Sequence, residues 1–387
     1  MQFFYGTVIA LLTVAFIVLF SLTGWCGGDI PVLPVSSILK ITENGNSVKV
    51  DLGILMEAMQ IASSYHVDRK SLDKDKMVGG MIRGFLMYIN DAQRKSLLVA
   101  AKNCPYKPTD CKDQLIFRVV ADDGFVLRVD AGYFLWTLKL AVREGLLKKK
   151  RNGPGLAECL AMGFVRSLDR HSDFLDPEEA KDYIKSFELG NTVSVRSLGD
   201  KSNKVYIVYI VEFARNTARE FKKLTKELSR EKNARVIFDL RDNPGGLDIP
   251  TEEILGYLVG ANKVLLSEKD YSGVEVFKRT PIDSGAGIAN KWKIVCLVDN
   301  GTASNAEVFS ACLRDNLGAK LIGTTTYGKG VGGTLYDLRS GRGSCRITYT
   351  RWYTPCGKCI QDVGLLPDIE VGDELGQMNR AIQELLK

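Results

Sequence analysis

A serine, a glutamate and a lysine at positions 304, 307 and 329 are the residues whose types and spacing could do chemistry. Ser304 follows the turn-forming stretch Asp299-Asn300-Gly301-Thr302-Ala303. It precedes Ala306, Val308, Ala311, Cys312 and Leu313, which give one side of a helix an apolar surface. Ser304 thus falls at the start of that helix, where two readings are open. It is an N-cap, or it is a nucleophile whose developing oxyanion is met by free backbone N–H groups. Lys329 lies in a Gly- and Thr-rich loop after the short strand Leu321-Ile322. It is a surface charge, or a general base if burial lowers its pKa far enough to keep it neutral. The chain has only two histidines, His66 and His171, both read as structural. A Ser-Lys pair is a known variant of nucleophile–base logic.

The segments around these residues resemble the C-terminal processing peptidases, or tail-specific proteases. Four ordered blocks carry the resemblance: Ser167-Leu168-Asp169-Arg170-His171-Ser172; Val236 to Gly246, ending Arg241-Asp242-Asn243-Pro244-Gly245-Gly246; Asn300 to Glu307 with Tyr327-Gly328-Lys329-Gly330; and Arg351 to Pro355 with Val363 to Ile369. Together they span roughly residues 160 to 371. In that family the serine lies three residues before a glutamate and 25 before the lysine, and Ser304, Glu307 and Lys329 keep both spacings. The resemblance implies an α/β protease core of the crotonase/ClpP-like kind. It implies catalysis by Ser304 and Lys329, with an oxyanion hole made by a glycine N–H at Gly245 or Gly246 and the N–H of Asn305. It implies polypeptide substrates and no metal or cofactor. The chain departs from the family at two places. Gly333 stands where the family has a glutamine that orients the lysine. Fewer than twenty residues separate Phe187 from the strand at Val205, where the family carries a PDZ domain.

Other elements must hold these residues in place. Ile294 to Val298 is a run of five apolar residues and reads as a buried strand; Gly318 ends the helix that Ser304 begins. From Val205 on, strands alternate with helices, which implies an α/β core over 205–387. Thr217 and Glu220 have the spacing of a capping box. Residues 1–25 read as a transmembrane anchor or signal peptide, 26–52 as a linker and 53–190 as a mainly helical region with an insertion at about 101–155. Residues 191–204 form a short connection in place of the PDZ domain. The helical region is also the candidate surface for a homo-oligomer.

Phe3 to Trp25 carries no charge and is long enough to span a bilayer. With nine cysteines it suggests a membrane-anchored or secreted chain whose protease part lies outside the cytoplasm. Cys104 and Cys111 flank a turn-rich loop that a disulfide could close. Cys356 and Cys359 form a C-x-x-C, read as unpaired or locally bridged because the βαβ context of a redox motif is missing. The net charge of +6 is spread among acids and gives no reason to expect nucleic acid.

Two rivals remain. Gly323 to Lys329 nearly spells a phosphate-binding loop, but Gly330 stands where magnesium binding wants Ser or Thr, and no helix start follows. The stronger rival is a catalytically impaired relative that binds peptides or partners, because Gly333 removes a contact that would orient Lys329. Thr302, Thr324 and Tyr327 are the candidates to replace it.

Overall fold

The computed structural model describes residues 19–21, 38–104, 114–147, 154–188, 190–280 and 287–387. Its chain divides into two compact units, the first made of residues 1–176 and 335–347, the second of 177–334 and 348–387.

The first unit carries β1 (Leu19–Ser21), β2 (Ile38–Glu43), β3 (Asn46–Asp51), α1 (Gly53–Tyr65), α2 (Lys74–Tyr88), α3 (Asp91–Asn103), β4 (Gln114–Val120), β5 (Val126–Asp130), α4 (Gly132–Arg143), α5 (Leu156–Val165) and β6 (Asp173–Leu175). Its apolar core joins Met59, Met81, Phe85, Phe117, Phe134 and Phe164. Helices α2 and α5 touch at backbone distance, since a side chain on Gly84 would meet the Cys159 carbonyl oxygen at 2.1 Å. Two expectations change here. Residues 38–51 are not a tether but the hairpin β2–β3, which turns at Asn44 and Gly45, both with positive φ, and buries Leu39, Ile41 and Val50. Leu19–Ser21 pair with β4 as a strand, so this part of the apolar N-terminal segment is not helical. The rest of 1–25, residues 26–37, Cys111 and the 148–153 segment lie outside the described residues. Among the described residues no helix is long and apolar enough to cross a membrane.

The second unit holds the candidate site. It contains α6 (Pro177–Ser186), β7 (Val193–Leu198), β8 (Val205–Ile210), α7 (Thr217–Leu224), β9 (Arg235–Asp239), α8 (Asp248–Val259), β10 (Val264–Lys269), β11 (Glu275–Arg279), β12 (Lys293–Val298), α9 (Asn305–Leu317), β13 (Lys320–Gly323), β16 (Ile369–Glu370) and α10 (Glu374–Leu386), together with the start of β14 (Val331–Asp337) and the end of β15 (Ser344–Tyr353), whose other ends belong to the first unit. The main sheet has the order β16-β13-β12-β9-β8-β7. Strands β8, β9, β12, β13 and β16 run parallel, and β7 pairs antiparallel at the edge.

Both faces of this sheet are covered, which is why its strands read as unbroken apolar runs. Val236, Phe238, Ile294, Cys296 and Val298 face a core with α7, α8 and α9. Ile237, Val295, Leu297 and Ile322 face Ala381 and Leu385 of α10. The turns after β9, β12 and β13 therefore all open at the carboxyl ends of three neighbouring parallel strands, where ligand sites of α/β sheets form. A second sheet has the order β11-β10-β15-β14.

The unit boundaries differ from those expected. Residues 177–204, including β7, pack with the α/β part, while 335–347 belong to the first unit. The capping box at Thr217 does not form. Asn216 holds the N-cap position without a side-chain capping bond, and the Glu220 carboxylate instead accepts the N–H groups of Asn191 (2.9 Å) and Thr192 (2.8 Å).

Candidate active site

Ser304 closes the turn between β12 and α9. Asp299 shapes this turn, its Oδ1 accepting the N–H groups of Gly301 and Thr302, each at 3.0 Å. Ser304 itself has φ +54° and ψ −121°, a conformation that side-chain-bearing residues seldom adopt and that costs of order 1–3 kcal/mol. It is half-buried. Ser304 occupies the N-cap position of α9, but an ordinary N-cap sits in the extended region, and its backbone does not.

Glu307, one turn into the helix and fully buried, is the hub of the site. Its Oε2 accepts the N–H groups of Ser304 (2.8 Å) and Lys329 (2.9 Å). Its Oε1 accepts the Gly328 N–H (2.8 Å) and the Thr326 hydroxyl. Burial pushes the Glu307 carboxyl above its ordinary range, while these four donors pull the other way. One carboxylate thus fastens the serine turn to the lysine loop. The sequence spacing pointed to Glu307 without showing this double attachment.

The loop after β9 packs against the same turn. Asn243 is fully buried; its side chain donates to the Ile210 carbonyl (2.8 Å) and accepts the Gly245 N–H (2.9 Å). Its carbonyl accepts the Ala303 N–H at 2.9 Å. Gly245 has φ +101°, and a Cβ there would lie 2.8 Å from Ser304 Cβ, the Asn305 nitrogen and the Ala303 carbonyl oxygen. The Gly245 N–H is therefore turned to Asn243 and is not a free donor, which corrects one of the three oxyanion-hole expectations. The N–H groups of Gly246 and Asn305 donate to no acceptor among the described residues. The Asn305 side chain ties the two loops, donating to the Gly246 carbonyl (2.7 Å) and to Asp248 (2.8 Å).

Lys329 is half-buried. Its carbonyl accepts the Trp352 indole N–H at 3.0 Å. The loop runs straight into β14, a strand, so the phosphate-loop reading has no helix to rest on. Gly333 is exposed within β14. Of the candidates to replace the family glutamine, the Thr302 hydroxyl is taken up by the Leu240 carbonyl (2.8 Å) and Tyr327 is 50% exposed. Thr326, not Thr324, reaches Glu307. Trp352, Gln361 and Asp362 also reach the lysine loop, and nothing near them in the sequence signals it.

The remaining expected residues lie elsewhere. Cys356 and Cys359 are both exposed free thiols, so no bridge joins them. In the first unit, His66 is buried with its Nε2 2.7 Å from Asp169 Oδ2. Burial opposes charge on Asp169, yet hydrogen bonds from His66, Ser172 and the His171 N–H hold its carboxyl well below the ordinary range. Among the described residues no group of three or more His, Cys, Asp or Glu could hold a metal ion.

The model of Peptidase family S41 matches residues 204–371. A probable CtpA-like serine protease of Staphylococcus haemolyticus is 28% identical over 171 residues, 44% of this chain and 34% of that protein. Its counterpart in Staphylococcus aureus is 29% identical over the same shares of both chains. The chain spans about a third of the length of these relatives. Among solved structures, the photosystem II D1 C-terminal processing protease superposes with a TM-score of 0.44 at 25% identity, over 51% of this chain and 53% of that one. Ser304, Glu307 and Lys329 all lie within the stretch that matches the model of Peptidase family S41.

Proposed function

We propose that this protein is a serine endopeptidase of the C-terminal processing type, acting on unfolded or extended polypeptides outside the cytoplasm. Ser304 Oγ attacks the peptide carbonyl and Lys329 Nζ takes its proton. The N–H groups of Gly246 and Asn305 receive the negative charge that develops on the carbonyl oxygen. Lys329 then protonates the leaving amine, and water hydrolyses the acyl-enzyme. The observation that carries this reading is the shared Glu307 oxygen, which binds the backbone of both Ser304 and Lys329. The uncharged N-terminal segment and the nine cysteines support the extracytoplasmic location. The reading includes a family domain without a PDZ module between 187 and 205.

Gly333 favours a second reading, a peptide-binding relative with impaired catalysis. The test is cleavage of an unfolded, fluorescently labelled protein by the full chain, by Ser304→Ala and by Lys329→Ala, up to about pH 9. The expected result is cleavage that rises with pH, because a lysine base acts only when deprotonated, and that is lost in both variants. Full activity in Ser304→Ala would sink the peptidase assignment. No cleavage by folded wild type would favour the binding protein.

A further inference from the structure

Gly328, Lys329 and Gly330 have all six of their backbone polar groups engaged. Glu307 accepts the N–H groups of Gly328 (2.8 Å) and Lys329 (2.9 Å). The Gly328 carbonyl accepts the Asp362 N–H at 2.9 Å. Trp352 serves two carbonyls at 3.0 Å, that of Lys329 from its indole and that of Gly330 from its backbone. The sixth group, the Gly330 N–H, donates to the side-chain oxygen of Gln361 at 2.9 Å.

Gln361 is fitted to this task. Its Nε2 donates to Asp362 Oδ1 at 3.1 Å, which turns the amide oxygen toward Gly330. The two backbones run in contact, since a side chain on Gly330 would lie 2.6 Å from the Gln361 nitrogen. Gln361 and Asp362 thereby grip the chain on either side of Lys329. Glu307 holds one flank of the lysine and Gln361 the other. With the Gln361 acceptor gone, the Gly330 N–H is left without its partner, and the C-terminal flank of the lysine keeps only the two contacts from Trp352. A displacement of about 1 Å at a reacting group can lower a rate by about a hundredfold.

We propose that Gln361 is a positioning residue for Lys329, anchoring from the C-terminal segment a lysine that Gly333 cannot orient. This rests on the reading of Lys329 as the general base. It acts through the Lys329 backbone, so Gln361 need not touch substrate.

The test compares the full chain with Gln361→Met, close in length but without an acceptor, and with Gln361→Glu, which keeps an oxygen facing Gly330. The substrate is the same labelled unfolded protein. The expected result for Gln361→Met is kcat down about tenfold to a hundredfold with KM within about twofold. Gln361→Glu should recover most of the rate, with its pH profile moved upward because an added carboxylate favours a charged lysine. Should Gln361→Met fail to fold by circular dichroism, Gln361→Ala replaces it with the same expectation. An active wild type with unchanged kcat in the variant lacking the acceptor would overturn the role of Gln361 alone. A rise in KM at constant kcat would do the same. Wild type without serine-dependent cleavage would overturn both this role and the peptidase reading beneath it.

Discussion

Ser304 and Glu307 hold each other at two points: the Ser304 N–H donates to Glu307 Oε2, and the Glu307 N–H donates to the Ser304 carbonyl, both at 2.8 Å. The serine is fixed through its backbone in a strained conformation, and the helix behind it supplies both fastenings.

Replacing Glu307 by glutamine tests the hub. An amide offers one acceptor oxygen where four donors converge, and its NH₂ group would face N–H or O–H groups that need an acceptor. A buried donor left unsatisfied costs about 1–3 kcal/mol. Glu307→Gln should lower the unfolding free energy by about 3 kcal/mol in urea titration and reduce peptidase activity by about a hundredfold. Unchanged stability and rate would show that the convergence of donors is unimportant.

Gly245→Ala tests the close approach of the two loops. The new methyl would meet Ser304, Asn305 and Ala303 at 2.8 Å and would sit at a φ of +101°. The expected result is a loss of more than about 2 kcal/mol in stability with activity near background, read by thermal melting and cleavage together. Alanine tolerated in both assays would mean that the loop stands further from Ser304.

The Asp169 carboxyl lies below its ordinary value of 3.8 in the folded chain. The unfolded chain therefore binds the proton first as pH falls. The stabilisation is fully present above the ordinary value and disappears as pH drops from there through the folded value. Asp169→Asn should cost about 2–3 kcal/mol at pH 7 and flatten the stability curve between about pH 5 and 2, followed by urea unfolding at several pH values. An identical acid limb in wild type and variant would contradict the His66–Asp169 contact.

Alkylation of the native protein should divide the cysteines. Cys356 and Cys359 are exposed, so iodoacetamide should modify both rapidly without a reductant. Cys312 and Cys345 are buried, which pushes their thiols up to about 12, and burial pushes Cys296 up as well, so these three should stay unmodified until denaturant is added. Mass spectrometry of the peptides reads the result. Protection of Cys356 and Cys359 that dithiothreitol removes would reveal a bridge between them.

Features set by neighbouring residues were legible in the sequence. Ile294 to Val298 forms β12 because its two faces meet two separate apolar layers. Gly318 ends α9 in the left-handed conformation its position suggested. The Ser304–Glu307 spacing became a real pair of contacts, but the same spacing at Thr217 and Glu220 did not, because Glu220 found donors at Asn191 and Thr192, distant in the chain. The hairpin at 38–51 carried a readable signal, Asn44-Gly45 between alternating apolar residues, that a linker reading passes over. Trp352 and Gln361 stand 23 and 32 residues beyond Lys329 and its loop. Only the folded return of the C-terminal segment brings them there, and no local period encodes it.

The excursion of residues 335–347 makes the second unit impossible to lift out as one continuous piece. Leu338, Cys345 and Ile347 are buried in the core of the first unit, and Tyr336 stacks on Tyr65 there. A fragment beginning at Val205 would expose this apolar loop to water and tend to aggregate, however intact its own sheet remained. The chain thus passes between the two units three times, after residues 176, 334 and 347.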